Sequence, residues 1–211
     1  MTFNKEKTNT DVCHIDDDGN LVNKPATEIR HPQRLRKYRG TCGSYLLPLP
    51  ASPSTVPPAP QYWEVHAWLE RGGWADLELG VCGEGRLDRE RWVHGQPDSW
   101  VMAAVYCDKH RAFCVAPHVE GERGECCLSL PRRPVTLKYG VVVDVARGRM
   151  GVLDIVNSKV AMKCSAKFTQ TLVPVFGVDP RYSSIKMTLV SGGDVAMTTE
   201  KQSLIQNILY N

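Results

Sequence analysis

Hydrophobic and polar positions alternate in short blocks along this chain. In Gln61-Tyr62-Trp63-Glu64-Val65-His66-Ala67-Trp68, one face carries Tyr62, Glu64 and His66 and the other Trp63, Val65 and Ala67. That is the two-residue period of a β-strand, not the longer period of a helix. Its aromatic and β-branched residues suit a pleated, half-buried surface. Arg71-Gly72-Gly73 reads as a turn, and a second strand is predicted over 74–82, ending Leu79-Gly80-Val81-Cys82. The two predict a hairpin that carries three of the five tryptophans.

The same pattern predicts strands at 21–22, 100–107, 111–116, 135–144, 150–155, 159–164, 171–176 and 185–190. Asp16-Asp17-Asp18-Gly19-Asn20 has the residues of a solvated hairpin tip, and Ala146-Arg147-Gly148-Arg149 those of a second hairpin turn. Residues 83–98, with Trp92 isolated among polar neighbours, and 120–125 read as loops. Regularly spaced short strands predict an all-β antiparallel sandwich of two sheets. The tail alone is helical in period: Thr199 and Gln202 match a capping box, and Leu204, Ile205, Ile208 and Leu209 share one face. That face must cover the sandwich or a partner.

Length changes the picture little, because 211 residues fit one large β-domain with a core that needs no disulfide or metal. Six of the fourteen prolines fall in 46–60, an extended loop inserted between strands. The net charge of +3 is too mild to demand a polyanion. Residues 1–30 are too charged for a signal peptide, and no apolar run reaches membrane-spanning length. The eight cysteines therefore read as reduced thiols of a cytoplasmic protein that does not engage a membrane.

Three stretches carry candidate chemistry. The basic run Arg30, His31, Arg34, Arg36, Lys37 and Arg39 could contact RNA phosphates, but only Tyr38 offers stacking, and a solvated crossing loop is the simpler reading. Cys107, His110, Cys114 and His118, with Cys126 and Cys127 farther along, supply the thiolates and imidazoles of tetrahedral zinc. The series lacks a Cys-x-x-Cys knuckle, and no metal or other cofactor is expected. The alternative to a binding module is accordingly a Cys/His metal protein or a small hydrolase. Against the hydrolase, no nucleophile elbow, phosphate-binding glycine loop or His-Glu-x-x-His is present. The acidic triplet 16–18 lacks the spacing and distal glutamate of a calcium loop.

Tyr62-Trp63-Glu64-Val65, Trp74, Leu79-Gly80-Val81, Trp100, Tyr139-Gly140-Val141-Val142-Val143-Asp144 and Phe168, Leu172, Pro174 and Phe176 follow one another as in SPRY domains. Phe3-Asn4-Lys5-Glu6-Lys7-Thr8, leading through Asp17-Asp18-Gly19 to Val22, is similar to the opening strands of the PRY segment. The chain thus resembles a PRY–SPRY domain, of the type found in tripartite-motif ubiquitin ligases and butyrophilin-like proteins. The resemblance implies a bent two-sheet sandwich over 1–211: a PRY-like part at 1–45, the proline-rich loop, a SPRY part at 61–195 and a helical tail at 196–211. It implies a non-catalytic module that recruits a protein or peptide, as the substrate-recognition end of a ubiquitin ligase or an innate-immunity protein. By position it implies a binding surface of Trp74, Asp76, Trp100, Met102, Asp179, Pro180, Arg181 and Tyr182.

Overall fold

The computed structural model describes residues 1–26, 31–50, 58–71, 76–179, 181 and 183–210. Its strands, in chain order, are β1 (His14–Ile15), β2 (Leu21–Val22), β3 (Gly40–Cys42), β4 (Gln61–Leu69), β5 (Leu77–Gly83), β6 (Ser99–Cys107) and β7 (Ala112–Val119). They continue as β8 (Glu122–Arg123), β9 (Leu128–Ser129), β10 (Val135–Asp144), β11 (Arg149–Asp154), β12 (Lys159–Ser165), β13 (Leu172–Val178) and β14 (Ile185–Ser191). The helix α1 (Thr199–Tyr210) follows.

The strands form two antiparallel sheets. The first runs β1-β2-β14-β4-β10-β11-β12, and the second β3-β13-β5-β6-β7-β8, with β9 also paired to β7. The core lies between them. Trp63, Val65, Ala67 and Leu69 of β4, all 0% exposed, meet Leu79, Trp100, Met102 and Phe176 of the second sheet. The alternation along β4 therefore selects the inner face as the sequence predicts.

The predicted hairpin of β4 with the following strand does not form. β4 pairs with β10 and β14, whereas β5 pairs with β6 and β13 in the other sheet. β5 is buried along its whole length, whereas β4 is buried inward and leaves Trp68 43% exposed on its outward face; each takes a central place in its own sheet with a neighbour on either side. The opening segment also departs from expectation. Phe3 makes a single bridge to Gly43, and residues 5–13 run through turns along the second sheet. Phe3 is held by an edge-to-face contact with Phe176, with ring centroids 4.9 Å apart.

Two glycines of the signature strands have steric reasons. Gly80 adopts φ +152°, and a Cβ there would meet the Trp100 carbonyl oxygen at 2.3 Å. A Cβ on Gly140 would overlap the Tyr62 phenol, which crosses it from the neighbouring strand. Leu-Gly-Val and Tyr-Gly-Val are thus places where a backbone must lie flush against a neighbour.

α1 packs on the sandwich and not away from it. Leu204, Ile205, Ile208 and Leu209 cover Val142, Leu153 and Val160 on the outward face of the first sheet. Its cap is Thr198, one residue earlier than the sequence predicts: the Thr198 hydroxyl accepts the Lys201 N–H at 3.2 Å. Beneath the helix, Glu64 is 3% exposed. It accepts hydrogen bonds from Lys201 Nζ at 2.6 Å and the Tyr62 hydroxyl at 3.0 Å, and meets the His66 ring at 3.1 Å. Burial alone would lift this carboxyl, but Lys201, His66 and Tyr62 outweigh it and hold it below the ordinary range.

Lys201→Met should therefore cost about 3 kcal/mol, because it leaves a buried carboxylate without its cation. Adding Glu64→Gln to that variant should restore much of the loss, as denaturant titration of the three proteins will show. Trp63→Ala should cost about 3–5 kcal/mol by the same measurement.

Candidate recognition site

Three strand ends meet at one corner of the second sheet. Arg39 precedes β3, Asp179 follows β13 and Asp76 precedes β5, and the register places them side by side: Val178 pairs with Leu77, and Gly177 with Gly40. The backbone continues one step beyond the strands, with the Asp179 N–H donating to the Asp76 carbonyl at 3.0 Å and the Val178 N–H to the Arg39 carbonyl at 2.8 Å. Sequence positions far apart thus become a row of three charged side chains.

Asp179 is fully buried. It accepts from Arg39 at 2.7 Å and from the Arg181 guanidinium at 2.8 Å, and the Arg181 backbone N–H reaches it at 2.8 Å. Burial pushes its carboxyl up, but the Arg181 bonds and the Arg39 charge prevail and hold it below the usual range. Asp76 has the opposite balance. Burial, joined by the charge of Asp179, raises it to about 6. Its Oδ1 is buried and accepts no hydrogen bond among the described residues, which is a costly state for a carboxylate. Arg181 keeps about half its side chain in solvent, 51% exposed.

Behind this row, Glu78 of β5 is fully buried on the outward face of the second sheet. It accepts the Val93 N–H at 2.9 Å and the His94 N–H at 3.1 Å, and meets His94 Nδ1 at 2.8 Å. His94 stacks on His118, with ring centroids 4.9 Å apart. Burial opposes the charged form of His94, but its hydrogen bond to Glu78 raises its pKa. For His118, burial and then the His94 charge lower it to about 4. The two neighbouring imidazoles are thus shifted in opposite directions beside an acidic corner.

Of the residues expected to bind, Asp76, Asp179 and Arg181 converge at this corner. Trp74, Pro180 and Tyr182 lie outside the described residues. Trp100 and Met102 do not join them. Each is 1% exposed, inside the core on the inward face of β6, and Trp100 packs edge-to-face on Phe168 at 4.9 Å. Trp100 pairs with Val81, five residues along β5 from Asp76 and roughly 16 Å away. The register puts both residues in phase with Ala104, so the two-residue period that marked them as special marks them equally as core.

Sequence reasoning missed Glu78, His94 and His118 at this corner, and it assigned Arg39 to a solvated run. A lone acid inside Leu77-Glu78-Leu79 was the available signal. The basic run is largely used within the chain. Arg34 pairs with Asp11 at 2.9 Å and Arg39 with Asp179, while the backbone N–H groups of Arg36, Lys37 and Tyr38 all donate to Asp88. Arg30 lies outside the described residues.

The Asp76 balance makes a pH prediction. With its folded-state value raised to about 6, its stabilising contribution is complete below the ordinary carboxylate value and is lost as pH rises through 6. Asp76→Asn should therefore stabilise the protein by about 1–2 kcal/mol at pH 7.5 and by almost nothing at pH 4. Paired denaturant titrations decide it; equal effects at both pH values would count against the charge balance described.

No protein-family model matches this chain, and no curated protein matches it. Solved structures do. The TRIM65 PSpry domain is 16% identical over 90% of this chain and 92% of its own, with a TM-score of 0.64. The SPRY domain of human HERC1 is 13% identical, covering 93% of this chain and 99% of that one, at a TM-score of 0.59. Stonustoxin is 16% identical over 90% of this chain and 28% of its own, at 0.62. At such identities the likeness concerns architecture, and the architecture of this chain is that of a PRY–SPRY-type domain.

Proposed function

We propose that the chain is a non-catalytic protein-recognition module that reads a peptide segment at the Asp76–Asp179–Arg181 corner. The carrying observation is the buried Asp76 oxygen with no hydrogen bond among the described residues, set beside a half-exposed guanidinium. A segment offering a cationic or N–H donor would satisfy Asp76, and its carbonyl or carboxylate could meet the solvent-exposed part of Arg181, which stays paired with Asp179. Trp74, Pro180 and Tyr182, which the resemblance also implies, lie outside the described residues.

The fold supports this reading, because the structures it resembles include SPRY domains of larger proteins. In a tripartite-motif-like parent, the module would recruit substrate for ubiquitin transfer. The thiols are unpaired, in keeping with a reducing cytoplasm. Among the described residues no helix is long and apolar enough to cross a membrane.

Panning a random peptide display library on the whole chain tests the proposal. Enriched peptides should carry Arg or Lys and should lose at least about tenfold in affinity against Asp76→Asn and Arg181→Ala. Arg181→Ala should cost about 1 kcal/mol of stability or less, since Arg39 still pairs with Asp179. Peptides that bind both variants as tightly as the parent would overturn the assignment of this corner.

A further inference from the structure

At the far end of β6 the chain turns back into β7 through residues 108–111. Cys107 closes β6, His110 sits in the turn and Cys114 lies on the returning strand, on the same outward face. Their ligand atoms all lie within 4.8 Å of one another. The His110 Nδ1 is 3.3 Å from the Cys107 sulfur and 3.5 Å from the Cys114 sulfur. With Zn–S near 2.3 Å and Zn–N near 2.05 Å, a tetrahedron has an S···N edge of about 3.6 Å. The trio thus already spans a zinc-sized polyhedron.

Further observations point the same way. The His110 N–H donates to the Cys107 carbonyl at 3.2 Å, closing the turn that holds the imidazole beside the sulfur. Cys126, from the loop leading into β9, lines the same pocket as Cys107, His110 and Arg123, outside the 4.8 Å trio and on the side from which a fourth ligand would close it. The Ser129 hydroxyl is 3.5 Å from the Cys114 sulfur. His118, the fourth residue of the series in sequence, is excluded, since it sits four residues farther along β7 and stacks on His94.

We propose that Cys107, His110, Cys114 and Cys126 hold a structural zinc ion that ties the β6–β7 hairpin to the loop entering β9. On binding, the three thiols release their protons to solvent and the imidazole binds as the neutral base through Nδ1. The resulting site carries one net negative charge, which Arg123 partly offsets. A knuckle is present after all, written Cys-x-x-His in place of Cys-x-x-Cys. The geometry does not suit a thiol nucleophile, because one ring nitrogen lies against two sulfurs instead of between a nucleophile and an orienting acid.

The test uses the whole chain, reduced and stripped of metal. Added Co²⁺ should give the visible bands of tetrahedral cobalt with thiolate charge transfer, at one ion per chain, and Zn²⁺ should bleach them. Adding Zn²⁺ alone should raise the melting temperature. Cys107→Ser and His110→Ala, both at the hairpin tip, should weaken zinc retention against a chromogenic chelator at least about tenfold, as should Cys126→Ser, while His118→Ala leaves it unchanged. An octahedral cobalt spectrum, no spectrum at all, or retention unaffected by Cys107→Ser would overturn the site. A tetrahedral spectrum and retention unchanged in Cys126→Ser would overturn the four-ligand assignment.

Discussion

On the outward face of each sheet, among the described residues, a single buried glutamate fixes what covers part of that face. Glu64 on the first sheet binds Lys201 and seats α1. Glu78 on the second binds the backbone and ring of His94 and seats the loop that carries Val93 over Val101 and Val175. A buried carboxylate is tolerable only when its partners arrive together, so each acid makes its cover obligatory and sets its register. The candidate corner depends on this arrangement, because the loop clamped by Glu78 brings His94 against Asp76 and His118.

Most strands were legible because their inward residues alternate against outward ones, and the observed ends fall within three residues of those expected, the start of β5 and the end of β7 differing most. What the pattern could not carry was which strand pairs with which. Trp63 and Leu79 look alike locally, yet they belong to opposite sheets, since alternation marks a buried face and not the neighbouring strand. The tail helix was legible for the same reason as the strands, whereas the pairing of its Lys201 with the buried Glu64 beneath it was not.

The corner was half legible. Asp76, Asp179 and Arg181 were reached through family position, whereas Trp100 and Met102 follow the inward phase and end in the core. Glu78, His94, His118 and Arg39 come together through pairing between segments tens of residues apart, which no local window contains. The Cys107–Cys114 series was visible, but its spacing reads equally as the ends of two strands, and only the hairpin turn puts the histidine between the thiols.

Asn23 shows what such long-range pairing means for the order of events. Its side chain donates to the carbonyls of Asp179 and Ser183 and accepts the Ile185 N–H, bridging up to 162 residues of chain. β2 pairs with β14 and β3 with β13 in the same way. During synthesis the opening segment can pair early within itself and with residues 40–43, but its partners on β13 and β14 are made far later. Its apolar residues, Phe3, Val12 and Leu21 among them, stay uncovered through that interval, and closing loops of this length is intrinsically slow. The local pairings of residues 1–43 can therefore form well before β13 and β14 fix their place in the two sheets.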